Sequence, residues 1–218
     1  MPTHTFFNLD DEKRGRFLTA AFQEFCLHDY KQASVSQIVK KVGIAKGSVY
    51  QYFENKADLY HYLYEVATKK KAEYVQARPL GEDEDFFEWL EQMWAIGLRF
   101  DAENPLYTGF LFNISQEKDQ VALDIMKQNR DQAKLFFEPL FKRLQEKGQV
   151  RKDVDLDFLV FFFSHSAESL TSYMVKRHEG DYRKLVQEGK PFMSVNSEEI
   201  LQYVHHLSQL LRTGMMGT

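Results

Sequence analysis

Along most of the chain, apolar residues recur at three- and four-residue spacing, the period of an amphipathic helix. Phe17, Leu18, Ala21, Phe22 and Phe25 make one stripe over residues 11–28. Val35, Ile38, Val39 and Val42 repeat it over a short helix closed by Gly43, a residue that adopts the left-handed cap at little cost. Ser34 stands three positions before Gln37, the spacing of a capping box. Val49 and Phe53 mark the inward side of a second short helix, about 46–53, and Ile44 suits a plug between the two. Asn55, with Asp58 three residues on, reads as the N-cap of a helix over about 56–78, where Leu59, Leu63, Val66 and Ala67 share a face. Further helices are expected at about 85–103, 105–116, 119–147, 155–179 and 197–213. Asn104 and Pro105, Gly148, Gly180, and Gly189 to Pro191 separate them. No run alternates polar and apolar residues between hairpin turns, so the expected class is all-α.

Two short helices around a glycine turn, followed by an aromatic-rich helix end, have the order of a helix-turn-helix, whose second helix lies in a DNA major groove. The residues placed on that DNA face are Ser34, Lys46, Gly47, Ser48, Tyr50, Gln51, Tyr52 and Lys56. Lys46 and Gln51 can reach base edges. Ser48, Tyr50, Tyr52 and Lys56 suit phosphates, Lys56 from the positive end of its helix. Gly47 is a poor helix former whose missing side chain permits close approach.

The last two long helices are apolar over a wide arc: Leu156, Leu159, Val160, Phe162, Phe163 and Leu170 in one, Ile200, Leu201, Tyr203, Val204, Leu207, Leu210 and Leu211 in the other. Such an arc needs two partners, its own core and either a further internal surface or the same pair from a second subunit, with Val204 and Leu207 expected against that subunit. The middle of the chain carries Trp89, Met93, Trp94, Tyr107, Phe110, Phe137, His165 and Tyr173. An aromatic stripe at helical spacing is either core or the wall of a cavity. A cavity with these polar tips would take an apolar or aromatic small molecule with one or two polar groups. His165 is either a satisfied core histidine or a ligand contact.

Composition narrows the picture. Residues 1–56 hold eight Lys/Arg against six Asp/Glu, and the remaining 162 residues hold 20 against 26. Positive charge is therefore local to the N-terminal end, within a chain of formal charge −4. Cys26 is the only cysteine, so no intrachain disulfide forms, and its place among Phe22 and Phe25 reads as packing. His205 and His206 are adjacent and point about 100° apart on a helix, so they do not share a metal. No catalytic motif is present, and carboxylates fall mostly in solvated runs such as Glu82 to Asp85, with Glu168 one exception inside an apolar helix. Neither an enzyme nor a cofactor is expected. No signal peptide or membrane span is visible, and the expected location is the cytoplasm.

Val35, Ile38, Gly43, Ile44, Gly47, Ser48, Val49, Tyr50, Tyr52, Phe53, Lys56 and Leu59, at fixed spacing, resemble the DNA-binding domain of the TetR family of bacterial regulators. The resemblance covers about residues 10–60. Ala45 departs from it, standing where the family usually has Ser or Thr, and Val39 replaces a common Ala. It implies a DNA-binding domain over residues 1–56 and a helical ligand-binding and dimerisation domain over 57–218. It further implies a homodimer joined through the last two long helices and a palindromic double-stranded operator. The function expected is that of a ligand-responsive transcriptional regulator, a repressor. The alternative is a helical ligand-binding or protein-interaction module that no longer reads DNA.

Overall fold

A computed structural model describes residues 1–76, 78–178, 182–190 and 197–215. Its helices are α1 His4–Phe7, α2 Asp11–Leu27, α3 Val35–Val42, α4 Lys46–Tyr52, α5 Lys56–Val75, α6 Phe86–Glu103, α7 Pro105–Gln116, α8 Gln120–Glu146, α9 Leu156–His178, α10 Tyr182–Gln187 and α11 Ser197–Met215. Among the described residues none lies in a strand. Every long helix expected from periodicity is present. The short α1 and α10 were not expected, because neither completes two turns and so neither shows a period.

The caps explain the boundaries. Asp10 accepts the Lys13 amide at 2.8 Å and starts α2. Gly43 ends α3 in the left-handed conformation, with φ 78°. Asn55 takes the Asp58 amide at 2.9 Å, while the Asp58 carboxylate takes the Glu54 amide at 3.1 Å. The capping box expected at Ser34 does not form. The Gln37 amide bonds to the Ser34 backbone carbonyl, and no side chain caps α3. Buried Glu24 is the reason: its carboxylate takes the Ser34 amide at 2.9 Å, the group that the Gln37 side chain would have claimed.

The chain packs as two compact units. The first comprises Met1–Glu73, Glu103–Ile125 and Asp181–Phe192, and the second comprises Tyr74–Ala102, Met126–Gly180 and Met193–Thr218. In the first, Phe6, Phe17, Phe22, Phe25, Ile38, Phe53, Tyr60 and Phe110 are essentially inaccessible. Tyr107 and Phe110 meet Phe22 edge-on, with centroids 4.9 and 5.3 Å away. Cys26 is buried in this unit, which pushes its thiol up to about 12. It packs rather than reacts.

In the second unit α6, α8, α9 and α11 close around Phe86, Trp89, Leu90, Phe141, Leu144, Leu159, Val160, Phe163 and Leu211. Met93, Trp94 and Phe137 pack against this cluster. Trp94 stacks on Phe163 at 5.6 Å, Phe137 meets the same ring at 4.8 Å, and the Trp89 indole donates to the Arg78 carbonyl at 3.0 Å.

Val204 and Leu207 differ from expectation. Val204 is 1% exposed within its own chain, and Leu207 packs on its own unit's core. Among the described residues, the outward large apolar ones of these helices are Phe158, Phe161, Phe162 and Tyr173 on α9, with Leu201 and Leu210 on α11. No described helix is long and apolar enough to cross a membrane.

Candidate nucleic-acid interface

α4 is seven residues long, with Ala45 at its N-cap and no side-chain cap. Helices this short do not hold themselves in water, so packing fixes this one. Val49, Tyr52 and Phe53 point inward. Phe17 stacks on Phe53 at 5.9 Å and meets Tyr52 at 6.0 Å. Lys46, Gly47, Tyr50 and Gln51 remain exposed, and Ser48 is half-buried. Tyr50 keeps 53% of its surface, a large exposure for an aromatic ring. A Cβ added at Gly47 would meet nothing within 4 Å, so no close packing in the chain requires glycine there.

Three of the expected DNA-face residues stand differently. Tyr52, expected to face outward, is 8% exposed and belongs to the aromatic cluster around Phe6. Lys56, expected at a phosphate, turns back onto the α2–α3 connection. Its ammonium donates to the carbonyls of Tyr30 at 2.7 Å and Ala33 at 3.2 Å and sits 4.4 Å from the Tyr30 ring centre. Desolvation lowers its pKa, against the opposing pull of Asp119 and Glu117. A cation beside the positive end of α5 is badly placed, and the carbonyls compensate it. Ser34 is half-buried, with its amide held by Glu24.

Several residues that brace the end of α2 and the α2–α3 connection carry no periodic signal. Asn113, buried on α7, donates to the carbonyls of Phe25 at 2.9 Å and His28 at 3.3 Å, satisfying the free end of α2. Glu117 accepts the Tyr30 amide. Arg183, on α10, pairs with Asp29 and donates to the Asn113 side-chain carbonyl at 3.3 Å. Asn113 alone gives a hint in the sequence, as a lone amide in an apolar run. These groups border a polar groove of about 490 Å³ that Lys31, Gln116 and Asp119 complete.

The eight aromatic and polar residues considered for a ligand cavity are not brought together around one. Tyr107 and Phe110 belong to the first unit, and Trp89, Met93, Trp94 and Phe137 are packed core of the second. His165 is exposed, its Nδ1 2.9 Å from the Phe161 carbonyl and its ring 4.2 Å from that of Phe161, so it is not a core histidine. Tyr173 is half exposed against Tyr203. A separate groove of about 530 Å³ between α6 and α11 is lined by Glu88, Glu91, Gln92, Ala95, Ile96, Leu201 and Val204. His205 stands by it, 3.4 Å from the Glu91 carboxylate. Among the described residues no cluster of His, Cys, Asp and Glu is arranged to hold a metal. The Glu168 side chain lies outside the described residues.

Residues 17–63 match the family described as bacterial regulatory proteins, tetR family. The "Probable acrEF/envCD operon repressor" of Escherichia coli (strain K12) is 21% identical over 152 residues, 67% of this chain and 69% of that protein. The "HTH-type transcriptional activator FasR" of Mycolicibacterium smegmatis is 38% identical over 50 residues, 23% of either chain. A crystal structure of a TetR family transcriptional regulator from Chloroflexus aurantiacus J-10-FL superposes over 100% of both chains with a TM-score of 0.80 at 27% identity. The matched segment begins inside α2 and ends inside α5, so it takes in the whole helix-turn-helix with its exposed Lys46, Tyr50 and Gln51, while the structural likeness runs the full length. Residues 17–63 therefore carry a helix-turn-helix of the tetR family, and along its whole length the chain is similar to a TetR family transcriptional regulator, a class of DNA-binding regulators.

Proposed function

We propose that the chain is a homodimeric, ligand-responsive repressor that reads a palindromic operator with Lys46, Gly47, Ser48, Tyr50 and Gln51. The carrying observation is the outward row on α4. It is polar, basic and glycine-bearing, and the opposite side of the helix is fixed by aromatic packing. Lys46 and Gln51 reach base edges, while Ser48 and Tyr50 meet phosphates. Gly47 supports the same reading, since a helical glycine with no close packing to accommodate suits approach by an external partner. Tyr52 and Lys56 act from behind, holding α4 and the α2–α3 connection.

Regulators of this family bind operators as homodimers. The proposed dimer face is the outward stripe Phe158, Phe161, Phe162 and Tyr173 with Leu210, because large apolar residues in such a row are costly to leave in water. Repression is favoured over activation because the Escherichia coli repressor matches over 152 residues, well beyond the length of the helix-turn-helix, whereas the FasR match covers only 50 residues. The effector is assigned to the α6–α11 groove, whose apolar floor and two carboxylates suit an apolar or aromatic body with a hydrogen-bond-donating tip.

Selection of duplexes from random-sequence DNA by the full chain tests the reading. A palindromic site should be enriched, Gln51→Ala should relax preference at a contacted base by about 1–3 kcal/mol, and disruption of one half-site should weaken binding. If no duplex is enriched at low salt, the alternative of a helical module that does not read DNA takes its place.

A further inference from the structure

The chain's first residues are tied to the far end of the recognition helix. The last carbonyls of any α-helix lack intrahelical partners. In α4 those of Gln51 and Tyr52 are both taken by Thr3. Its hydroxyl donates to the Gln51 carbonyl at 2.5 Å and its amide to the Tyr52 carbonyl at 2.8 Å. Three residues on, Phe6 is fully buried, with ring centres of Phe53, Tyr62, Phe17 and Tyr52 at 5.0, 5.5, 5.9 and 5.9 Å. Arg14 of α2 closes the arm from the other side, donating to the carbonyls of Phe7 at 3.1 Å and Leu9 at 3.3 Å. A single short segment thus grips α4 by its terminal carbonyls and by the aromatic residues beneath it.

α4 needs such a grip. It has seven residues, no side-chain cap at Ala45 and a glycine in its first turn. Its length is far below what sustains a free helix. The side chain expected to read bases, Gln51, stands on the residue whose carbonyl Thr3 holds. A bidentate amide-to-adenine contact tolerates little error in the backbone that carries it. The arm also lies outside the segment shared with the family, which begins at residue 17.

We propose that Thr3 and Phe6 are positioning residues for DNA reading: the N-terminal arm sets the pose of Gln51 and Tyr50 by capping and buttressing the C-terminal end of α4. This rests on the reading of α4 as the DNA-contacting helix. The arm adds selectivity rather than general attraction, since residues 1–8 hold no Lys or Arg to neutralise phosphate.

The test uses the full chain and the duplex it enriches from random DNA, with a scrambled duplex beside it. Thr3→Val keeps the shape and the amide but removes the hydroxyl. It should weaken the enriched duplex by about three- to tenfold, the worth of one net hydrogen bond, and leave the scrambled duplex and the salt slope unchanged. Thr3→Ser, which restores the hydroxyl, should return affinity to within about twofold. Amide hydrogen exchange at Phe53 should quicken in Thr3→Val and not in Thr3→Ser, a readout independent of DNA. Phe6→Leu, which keeps the buttress apolar, should fall between. The inference is overturned if Thr3→Val binds the enriched duplex as tightly as the parent. It is equally overturned if both duplexes weaken together in proportion to lost thermal stability. Failure of the unmodified chain to enrich any duplex would instead strike the reading of α4 itself, and the exchange rates would still report whether Thr3 holds the helix end.

Discussion

Gly47 separates folding from binding at a single position. Its Cβ site is empty and its backbone is helical, so Gly47→Ala should raise stability by about 0.4–1 kcal/mol through the unfolded chain. On the proposed reading of α4 the same methyl stands where DNA approaches, and it should weaken operator binding. Thermal denaturation and duplex titration read the two opposite signs, and a variant improved in both would remove Gly47 from the interface. Lys56 gives the converse. Lys56→Met keeps the stem but leaves the Tyr30 and Ala33 carbonyls without their ammonium, at a cost of about 1–3 kcal/mol. Because the ammonium is already engaged, the salt dependence of DNA binding should not change. Glu117 carries a pH signature. Desolvation, with Asp29 and Asp119 nearby, raises its pKa above 4.5 against the lowering effect of the Tyr30 amide and Arg183. As pH falls from neutrality toward 4.5, the folded chain takes up this proton before the unfolded chain does. The parent should therefore gain stability relative to Glu117→Gln over that window and hold the gain below it. A constant difference in melting temperature between pH 7 and about 4.5 would show that Glu117 is not strained by burial.

At the scale of elements, periodicity reports which helices exist but not how a doubly apolar helix divides its faces. In α9, Leu159, Val160 and Phe163 go inward and Phe158, Phe161 and Phe162 outward, although all six are equally apolar in sequence. In α11 the division leaves Val204 inside and Leu210 at 73% exposure. The expected test of a dimer at Val204 thus becomes a test of the fold. Val204→Asp should unfold the second unit, whereas Phe158→Glu with Phe162→Glu should yield a folded monomer, separable by light scattering and circular dichroism. A folded dimer of the double variant would move the subunit contact off α9. The helix-turn-helix is legible for a related reason. Gly43, Asn55 and the inward Val49 and Phe53 each carry a local rule of backbone or period. Ser34 obeys a local rule too, but Glu24, ten residues earlier, competes for its amide through tertiary contact that spacing cannot show. Thr3, Phe6, Asn113 and Arg183 act across even longer separations and left almost no trace. Tyr52 was assigned the wrong face because an exposed-looking helical position was covered by the arm.

For the whole molecule, a formal charge of −4 means that attraction to DNA comes from a patch rather than from the global field. Duplex binding should fall steeply with salt, and Lys31→Ala should flatten the slope by about one unit if that exposed lysine meets a phosphate. An unchanged slope would restrict the phosphate contacts to α4 and its neighbours. The first compact unit also bears on how such a regulator can be inherited. Phe25, Asp29 and Tyr60 come from the first 73 residues, but Phe110 and Asn113, which cover and cap them, come from a second stretch of chain, and Arg183 from a third. A recombination event that exchanged only residues 1–63 with a relative would carry away half of a core and leave the other half facing a stranger. Crossovers at the end of the helix-turn-helix should thus be penalised, and new operator preferences should arise chiefly by point changes at Lys46 and Gln51, which are exposed on α4.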